Sequence, residues 1–448
     1  MNVPHSKIIA ICTLLLCSCS NEIIYTQNDK ETNDDYVIPI NEALNSLDDF
    51  FISCGKSETK GLTSARIDNY FAITSPAATK SSATTHSSDL IYAVNFKDDN
   101  GYALLAADRR INEDILAITE KGSVTKDDFS QDYDNLTPSE EDDLSENEYN
   151  EMVESGVLAL INRKINDGCL KYAEDKVANS IKDGDYTPGN GGTSSRITYW
   201  WEVEKEVPML LETVWTQEGQ NNIFNKYCPK VGIKKRIAPA GCVCIAVSQI
   251  MAYHEFPSNL ICNKQEIDYS EIKKIYRFDN RYALGDSLSQ EMLAKYIVNV
   301  GNFCNTKYHC MFGQTWGFAW PSGAKECLSK MGYQNVDFKW GYDEERVISS
   351  LDKRCPVFMS AVAKAFSGHG WVIDGYKKRK YVSSQGAVIN RQTLVHCNWG
   401  WGGLCNGYFT SGVFKINSAE IYDGFGKAAK EEHYWHAFNT ITYDKPEK

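Results

Sequence analysis

A segment rich in glycine, serine and proline divides this chain into two parts. It spans residues 182–195, reads KDGDYTPGNGGTSS, and has the composition of a flexible linker. After it the composition changes, because tryptophans, glycines and most cysteines concentrate beyond residue 196. A chain of 448 residues is long enough for two or three domains. The sequence therefore predicts a separate domain over 196–448, joined by an exposed linker of the kind that proteases cut.

The part before the linker is predicted to be a small α+β unit followed by a connector. We assign the unit to 39–125, with a helix from Pro39 to Phe51, a β-hairpin from Leu90 to Ala107 and a strand from Ile115 to Thr119. The connector, 126–195, begins with an acidic stretch, continues with a helical pattern and ends in the linker.

The N-terminus is predicted to be an export signal. Lys7 precedes an apolar run that is too short to span a bilayer as a mature helix, and small residues follow it. Leu16 to Cys19 resembles a bacterial lipobox, which gives a signal over 1–18, lipidation of Cys19 and a tether over 19–38. Cys17 and a plain secretory signal are the alternatives. The predicted location is the outer membrane or cell surface, with membrane contact only through the lipid and possible release of a mature form.

The region after the linker is predicted to have the α+β class, with helices first and an antiparallel sheet after them. The predicted helices are Val243–Glu255, Ser289–Asn302 and Gly323–Met331, and the predicted strands are Pro356–Val362, Gly370–Tyr376, Thr393–Asn398, Tyr408–Phe414 and Phe438–Tyr443.

Composition argues against several classes of function. The formal net charge is −12 and basic residues form no runs, so no nucleic-acid partner is expected. Twelve cysteines follow Cys19, but no CxxC pair is among them, which argues against a zinc ribbon or a redox dithiol. We expect no metal and no cofactor. In an exported protein disulfides persist, and local bridges are expected, among them one involving Cys304 and Cys310.

Cys242 is the candidate nucleophile. Catalysis by cysteine needs a lowered pKa, because the thiolate is the attacking species, and the positive end of a helix lowers it. Apolar residues follow Cys242 at helical spacing, and Gly241 supplies the tight entry turn. Cys244 lies two residues on, about 200° around the helix, and faces elsewhere.

His369 is the candidate base. It lies between two glycines in SGHGWVIDGY at the start of a predicted strand, where the ring can be presented at a sheet end. Asn398, at the end of the next strand, is the candidate orienting group. If the two strands pair with Tyr376 opposite Arg391, His369 lies opposite Asn398. His396 is the rival base, deeper in its strand.

A side-chain amide is expected to complete the oxyanion site. Gln217, 25 residues before Cys242 and just after Trp215, is the candidate, and Gln220 serves equally well on this evidence.

Four segments in this order resemble the streptopain family of secreted bacterial cysteine peptidases. They read VWTQ, GCVCIAVSQIMAYHEFP, GHGWVIDG and HCNWGWGG. The resemblance implies a papain-like fold over 196–448, Cys242 as nucleophile, His369 as general base and acid, and Gln217 as oxyanion donor. It also implies that Asn398 and Trp399 orient and shield the histidine.

The early hairpin resembles the inhibitory propeptide of that family, which makes 39–125 a prodomain. An independent β-domain is the alternative. The resemblance implies a zymogen of a cysteine endopeptidase, with protein or peptide substrates and its own propeptide as an intramolecular inhibitor. Two other hypotheses remain: a transpeptidase or cell-wall amide hydrolase on the same scaffold, and an inactive surface-binding protein.

Overall fold

The computed structural model describes residues 36–54, 66–74, 89–129, 166, 168–179, 198–217, 223–275, 278–279, 282–283, 286–311, 314–362, 368–415 and 436–446. The predicted signal over 1–18, Cys19, nearly all of the tether, the linker and Gln220 lie outside these residues. Residues 35–448 group into one compact unit.

The helices fall into a short N-terminal set and a larger set after the linker. They are α1 (Ile40–Ser53), α2 (168–179), α3 (Cys242–His254), α4 (Tyr269–Lys273), α5 (Ser287–Phe303), α6 (Pro321–Lys330) and α7 (Glu344–Asp352). Short 3₁₀ turns cover Lys97–Asp99, Lys126–Phe129 and Ser411–Lys415.

The strands of the N-terminal part are β1 (Ile67–Thr74), β2 (Asp89–Phe96), β3 (Tyr102–Ala106) and β4 (Ile115–Thr119). Those after the linker are β5 (Tyr199–Val207), β6 (Lys230–Val231), β7 (Arg236–Ile237), β8 (Ile261–Cys262), β9 (Gln265–Glu266), β10 (Phe278–Asp279), β11 (Tyr282–Ala283), β12 (Lys307–Met311), β13 (Gln314–Phe318), β14 (Gln334–Trp340), β15 (Val357–Val362), β16 (Gly368–Ser383), β17 (Val388–Asn398), β18 (Gly407–Thr410) and β19 (His436–Asp444).

One antiparallel sheet runs through both parts of the chain. Its order is β1-β2-β3-β4-β18-β17-β16-β15-β19-β14, and β5 adds to β16 outside this path. The junction is β4 with β18, where Tyr408 lies opposite Ile118 and Phe409 opposite Ala117. The predicted prodomain therefore continues the sheet of the predicted peptidase domain by backbone hydrogen bonding.

Most predicted elements are confirmed to within a few residues. The first helix, the hairpin and the strand Ile115–Thr119 are present, and so are the three helices and five strands predicted after the linker. Two of these strands are much longer than predicted: β16 extends to Ser383 and β17 begins at Val388. The strand predicted over Tyr408–Phe414 is shorter, because it ends at Thr410 and a 3₁₀ turn follows. Elements that had not been predicted include β5, β14 and α7. β5 reads YWWEVEKEV and is largely exposed. Its charged residues give no buried apolar pattern, so the sequence did not predict a strand there.

The mixed α+β class is confirmed, and its two halves meet at the N-terminal end of α3. Almost every residue of α3 after Cys242 is buried, because the helix lies in a core with α5, α6 and the sheet. A second core covers the other sheet face and joins prodomain strands to the tryptophans around His369. This arrangement fixes the start of α3 against the ends of β16 and β17.

The structure contains no disulfide among the cysteines it describes. The bridge expected between Cys304 and Cys310 is therefore wrong. Cys310 lies on β12 beside Gly232: a side-chain carbon on that glycine would lie 2.5 Å from its sulfur. Cys304 caps α5 and is buried in the helical core, where the thiol of Cys327 on α6 is its neighbour. The turn between the two residues directs their side chains to different neighbours.

Candidate active site

Cys242 is the first residue of α3. The preceding Gly241 has φ 92°, and a side-chain carbon there would lie 2.7 Å from the carbonyl oxygen of Gly317, so the turn requires glycine. The thiol is partly exposed, and it lies at the positive end of a 13-residue helix. Partial exposure and a helix N-terminus are the surroundings that favour a reactive thiolate.

Cys244 occupies a different environment. It is 1% exposed, and its thiol donates a hydrogen bond to the carbonyl oxygen of Ile297 on α5 at 3.2 Å. Burial raises the pKa of Cys244 well above its ordinary value. Of the two neighbouring cysteines, Cys242 therefore has the environment of a nucleophile and Cys244 that of a core residue.

His369 is held by a backbone carbonyl and by aromatic rings. Its Nε2 lies 2.9 Å from the carbonyl oxygen of Trp399, and a carbonyl only accepts, so Nε2 carries the proton. The imidazole stacks on Trp401 at 4.5 Å between ring centroids, and the rings of Trp371 and Trp399 lie near it at 6.0 and 6.2 Å. The ring is 5% exposed. The orientation of the ring is thus fixed by the Nε2 hydrogen bond and by the neighbouring indoles.

The residues next to Cys242 and His369 touch each other. A side-chain carbon on Gly370 would lie 3.3 Å from Cγ2 of Val243 and 3.1 Å from Cζ of Phe358, so a larger residue at position 370 would crowd both neighbours. Two residues further along α3, Cγ2 of Ile245 would lie 3.3 Å from a side-chain carbon on Gly400. The start of α3 therefore lies between the beginning of β16 and the loop after β17.

Asn398 is not opposite His369, so the predicted strand register is wrong. Val372 pairs with Asn398 and Tyr376 with Val395, whereas His369 pairs with Ala361 of β15. The reason is the length of the hairpin: the strands continue to a turn over 384–387, and bulges at two places shift the register.

The Asn398 side chain joins three elements inside the core. Its Nδ2 donates to the carbonyl oxygen of Thr213 at 2.8 Å, and its Oδ1 accepts from Gln249 Nε2 and from the Gly400 N–H, both at 3.2 Å. Gln249 Oε1 also accepts from the Trp215 N–H at 3.2 Å. This buried amide pair ties α3, the end of β17 and the segment before Gln217 to one another.

Gln217 lies in a segment that runs beside residues 400–402. Its N–H donates to the carbonyl oxygen of Gly400 at 3.2 Å, and Thr216 bridges to Trp401. The buried Asn225 links this segment to the turn before Cys242: its Nδ2 donates to the Gln217 carbonyl at 3.3 Å and its Oδ1 accepts from the Ala240 N–H at 2.8 Å. The structure therefore connects Gln217 to both the nucleophile and histidine sides of the site.

The rival His396 lies deep in the sheet. Its Nδ1 is 2.6 Å from Oδ1 of Asp374, and both side chains are buried. Asp374 also accepts from the N–H of Leu211 at 3.0 Å. These contacts indicate that His396 has a structural role inside the sheet.

Three residues that the sequence reasoning overlooked contribute to this geometry. Gln249 is a polar residue on a buried helix, seven positions after Cys242 and so on the same face, and that spacing was a usable signal. Trp401 is the second tryptophan of NWGW. It stacks on His369, so the second tryptophan of the motif helps to hold the imidazole. Asn225 lies in a polar stretch and had no signal of its own.

Two properties of the described residues bear on other classes of site. Within the described ranges, no group of three or more His, Cys, Asp or Glu side chains is arranged to hold a metal ion. No helix there is both long enough and apolar enough to cross a membrane.

Both the sequence and the structure of this chain are similar to those of known cysteine peptidases. Residues 215–409 match the Peptidase C10 family. Streptopain from Streptococcus pyogenes is 27% identical over 249 residues, which cover 47% of this chain and 58% of streptopain. The chain thus spans less than two thirds of the length of the curated relatives it matches. Prevotella intermedia prointerpain A has a TM-score of 0.49 at 18% identity, covering 84% of this chain and all of that one, and active interpain A has a TM-score of 0.37 at 21% identity, covering 53% and 95%. Residues 215–409 of the chain are therefore similar to the Peptidase C10 family, the streptopain family of cysteine peptidases.

Proposed function

We propose that this protein is the zymogen of a papain-like cysteine endopeptidase, with Cys242 and His369 as the catalytic pair. The observation that carries the proposal is the fixed imidazole: its Nε2 is held by the Trp399 carbonyl, and in the proposed reaction its Nδ1 exchanges the proton with the thiol at the start of α3. The match of residues 215–409 to the Peptidase C10 family supports the same reaction class.

The reaction follows from these positions. The Cys242 thiolate attacks the carbonyl carbon of the peptide bond, and the imidazolium of His369 donates its Nδ1 proton to the leaving amine. Water, deprotonated by the same nitrogen, then hydrolyses the acyl-enzyme and releases the Cys242 thiolate, which restores the thiolate–imidazolium pair. The Nε2–H bond to Trp399 keeps the ring orientation constant through both proton transfers.

The oxyanion is stabilised by two donors. One is the backbone N–H of Cys242 at the helix N-terminus, and the other is the side-chain amide of Gln217. The support for Gln217 is its link to Gly400 on one side and, through Asn225, to the turn before Cys242 on the other. The tryptophans around His369 exclude water from the ion pair, and Asn398 acts on the site through Gln249 and Gly400.

The N-terminal part is proposed to keep the enzyme latent. Strand β4 hydrogen-bonds to β18, and Gly168 at the start of α2 lines a small apolar cavity together with Trp371, Trp399 and three phenylalanines. Gly412, next to the end of β18, lies directly under the Tyr172 ring of α2. Removal of residues before the 182–195 linker would therefore withdraw contacts from the tryptophans that hold His369.

The proposed substrates are proteins or peptides, and the propeptide is the intramolecular inhibitor. Export is proposed from the signal pattern of residues 1–18, and lipidation of Cys19 with anchoring to the outer membrane or cell surface remains a prediction from the same pattern. A mature peptidase released by cleavage near the linker is the proposed active species.

An active-site trap combined with peptide turnover tests the proposal. The exported chain, before and after limited proteolysis of the linker, is treated with an epoxysuccinyl peptide and mapped by mass spectrometry, and hydrolysis of a fluorogenic peptide is followed in parallel. We expect one adduct, on Cys242, and turnover that rises after the cut. Cys242→Ala should lose both signals, while Cys244→Ala, the matched control two residues away, should keep them. Turnover by Cys242→Ala at the wild-type rate would overturn the proposal.

A further inference from the structure

A group of buried thiols lies behind the helix that carries Cys242. Cys244, Cys304 and Cys327 belong to one core and are each at most 1% exposed. Cys244 projects from α3 toward α5, and Cys304 and Cys327 come from α5 and α6, the two helices that support α3. None of these three sulfurs has a part in the proposed reaction.

Cys304 and Cys327 are the two members of this group in direct contact. The Cys327 thiol is the neighbour with the largest effect on the pKa of Cys304, which it raises. Cys304 caps α5 and donates its N–H to the carbonyl oxygen of Val300 at 2.9 Å. A side-chain carbon on Gly323 of α6 would lie only 2.1 Å from the Cys304 carbonyl oxygen and 3.6 Å from its Cα, so the two backbones touch.

The helical repeat then places the second cysteine on the same contact. Cys327 lies four residues after Gly323, on the face of α6 that touches the end of α5. Close backbones with facing side chains are the geometry that a disulfide requires. Cys304 and Cys310, which are close in sequence, do not have this relationship in the structure.

The segment between the two cysteines supports the nucleophile. Residues 305–326 contain the β12–β13 hairpin, and Gly317 of that hairpin lies against the turn before Cys242. A side-chain carbon on Gly317 would lie 2.4 Å from the Pro239 carbonyl oxygen, which shows how closely the two backbones meet. A covalent bond at the base of this segment would hold both of its ends while its middle supports Gly241.

We propose that Cys304 and Cys327 form a disulfide when the protein meets a thiol-oxidising medium, and that this bond clamps the segment supporting the start of α3. The oxidant is a disulfide, either of a small thiol such as glutathione or of an oxidoreductase. One cysteine thiolate attacks a sulfur of that disulfide and releases one thiol. The second cysteine attacks the resulting mixed disulfide and releases the other. The two cysteines lose two protons and two electrons, and the oxidant becomes two thiols.

Burial determines when this exchange takes place. Thiolate is the attacking species, and the pKa of Cys304 is raised well above its ordinary value by the neighbouring Cys327 thiol and by burial. Exchange therefore occurs when α5 and α6 are not packed together and the two thiols are exposed, during folding or local unfolding. Once the helices pack, burial shields the disulfide from thiols in solution. The inference does not depend on peptidase activity.

The test is a disulfide map of the full chain. The protein is refolded in a glutathione redox buffer, its remaining thiols are alkylated under denaturing conditions, and unreduced peptides are identified by mass spectrometry. The expected result is a peptide pair joined through Cys304 and Cys327, lighter by two hydrogens than the two free peptides. Full alkylation of both cysteines in every oxidised sample, or pairing of Cys304 with another cysteine, would overturn the inference.

A stability measurement provides a second readout. Dithiothreitol should lower the thermal midpoint of the oxidised wild type by several degrees, on the order of 5 °C. It should have no such effect on Cys327→Ser or on the smaller change Cys327→Ala, whereas Cys310→Ser, which alters a cysteine within the same segment, should respond like the wild type. An equal shift of the thermal midpoint in Cys327→Ala and the wild type would contradict the proposed disulfide. The peptide map uses the wild type alone, so it tests the inference even where a variant folds poorly.

Discussion

The Nε2 atom of His369 lies 2.9 Å from the backbone carbonyl oxygen of Trp399, so the group that orients the imidazole does not depend on the side chain at position 399. The indole of the same residue packs beside the ring and is 2% exposed. Residue 399 thus contributes to the site through two separable parts, one in its backbone and one in its side chain.

Separating these two parts gives the first prediction. Trp399→Phe keeps the carbonyl and an aromatic ring, so kcat on a peptide substrate should fall by less than about tenfold. His369→Ala removes the general acid and base and should lower kcat by roughly 10²–10⁴-fold. Steady-state kinetics on the linker-cleaved enzyme makes the comparison. If Trp399→Phe is as inactive as His369→Ala, the indole and not the carbonyl carries the interaction.

The second prediction concerns Asn398. Because its amide bonds to Gln249, Thr213 and Gly400, Asn398→Ala leaves buried polar groups without partners. We expect a loss of about 1–3 kcal/mol in the free energy of unfolding. Activity per folded molecule should fall less than in His369→Ala. Urea unfolding together with active-site titration checks both parts. A fully stable Asn398→Ala enzyme with the same defect as His369→Ala would mean that this amide acts on the imidazole directly.

These residues also show what the sequence could and could not predict. Cys242 at a helix start and His369 at a strand start follow from local patterns, namely helical periodicity after Gly241 and a glycine-flanked strand. The relation between His369 and Asn398 depends on the register of a long hairpin, which is set by bulges and by a turn that local patterns do not specify. The same limit applies to Asn225 and to the Cys304–Cys327 contact, because both join segments whose proximity arises only from packing of the whole domain.

The third prediction tests Asn225 as a positioning residue. It accepts from Ala240 N–H at 2.8 Å and donates to the Gln217 carbonyl at 3.3 Å, so it links the oxyanion side to the nucleophile turn. Asn225→Asp keeps the acceptor and loses the donor, whereas Asn225→Ala loses both. We expect kcat to fall in the order wild type, Asp, Ala, with the alanine variant about 10–100-fold slower, within the range for loss of an oxyanion donor.

A reaction that needs no oxyanion supplies the control for Asn225. Iodoacetamide alkylates a thiolate without forming a tetrahedral intermediate, so its rate at Cys242 should stay within about threefold of the wild type in both variants. A fall in alkylation parallel to the fall in kcat would indicate that the whole site had loosened. An unchanged kcat in both variants would show that Asn225 does not position the oxyanion site.

The fourth prediction concerns the buried ion pair between the prodomain and the sheet. Asp114, just before β4, bonds to Arg379 of β16 at 2.5 Å, and Arg379 is 2% exposed. Burial raises the pKa of Asp114 above its ordinary value of 3.8, and Arg379 only partly opposes the shift. The folded zymogen therefore binds this proton more tightly than the unfolded chain. The resulting stabilisation is complete below pH 3.8 and is lost as the pH rises through the raised pKa.

Urea unfolding of the zymogen at several pH values above 4 measures this contribution. The wild type should lose stability with rising pH relative to Asp114→Asn, in which the side chain stays neutral. Asp98→Asn, at an exposed position of the same prodomain, is the matched control and should follow the wild type. A difference between wild type and Asp114→Asn that grows in the opposite direction would mean that the attraction to Arg379 outweighs the cost of burial.

The last prediction separates the two neighbouring cysteines of α3 by their reactivity. Cys242 is partly exposed at the helix start, whereas Cys244 is buried and its pKa is raised well above 9.0 by that burial. Iodoacetamide at neutral pH should therefore label Cys242 in the folded chain and leave Cys244 unlabelled up to about pH 9.

Cys310 is the control for this comparison. It is also partly exposed, but it lies on a strand and not at a helix start, so its labelling at pH 6 should be slower than that of Cys242. Peptide mapping after timed labelling gives the three rates, and labelling in urea should bring Cys244 to the rate of the others. Equal labelling of Cys242 and Cys310 at pH 6 would mean that the helix start does not activate the thiol, and rapid labelling of Cys244 in the folded chain would contradict its place in the core.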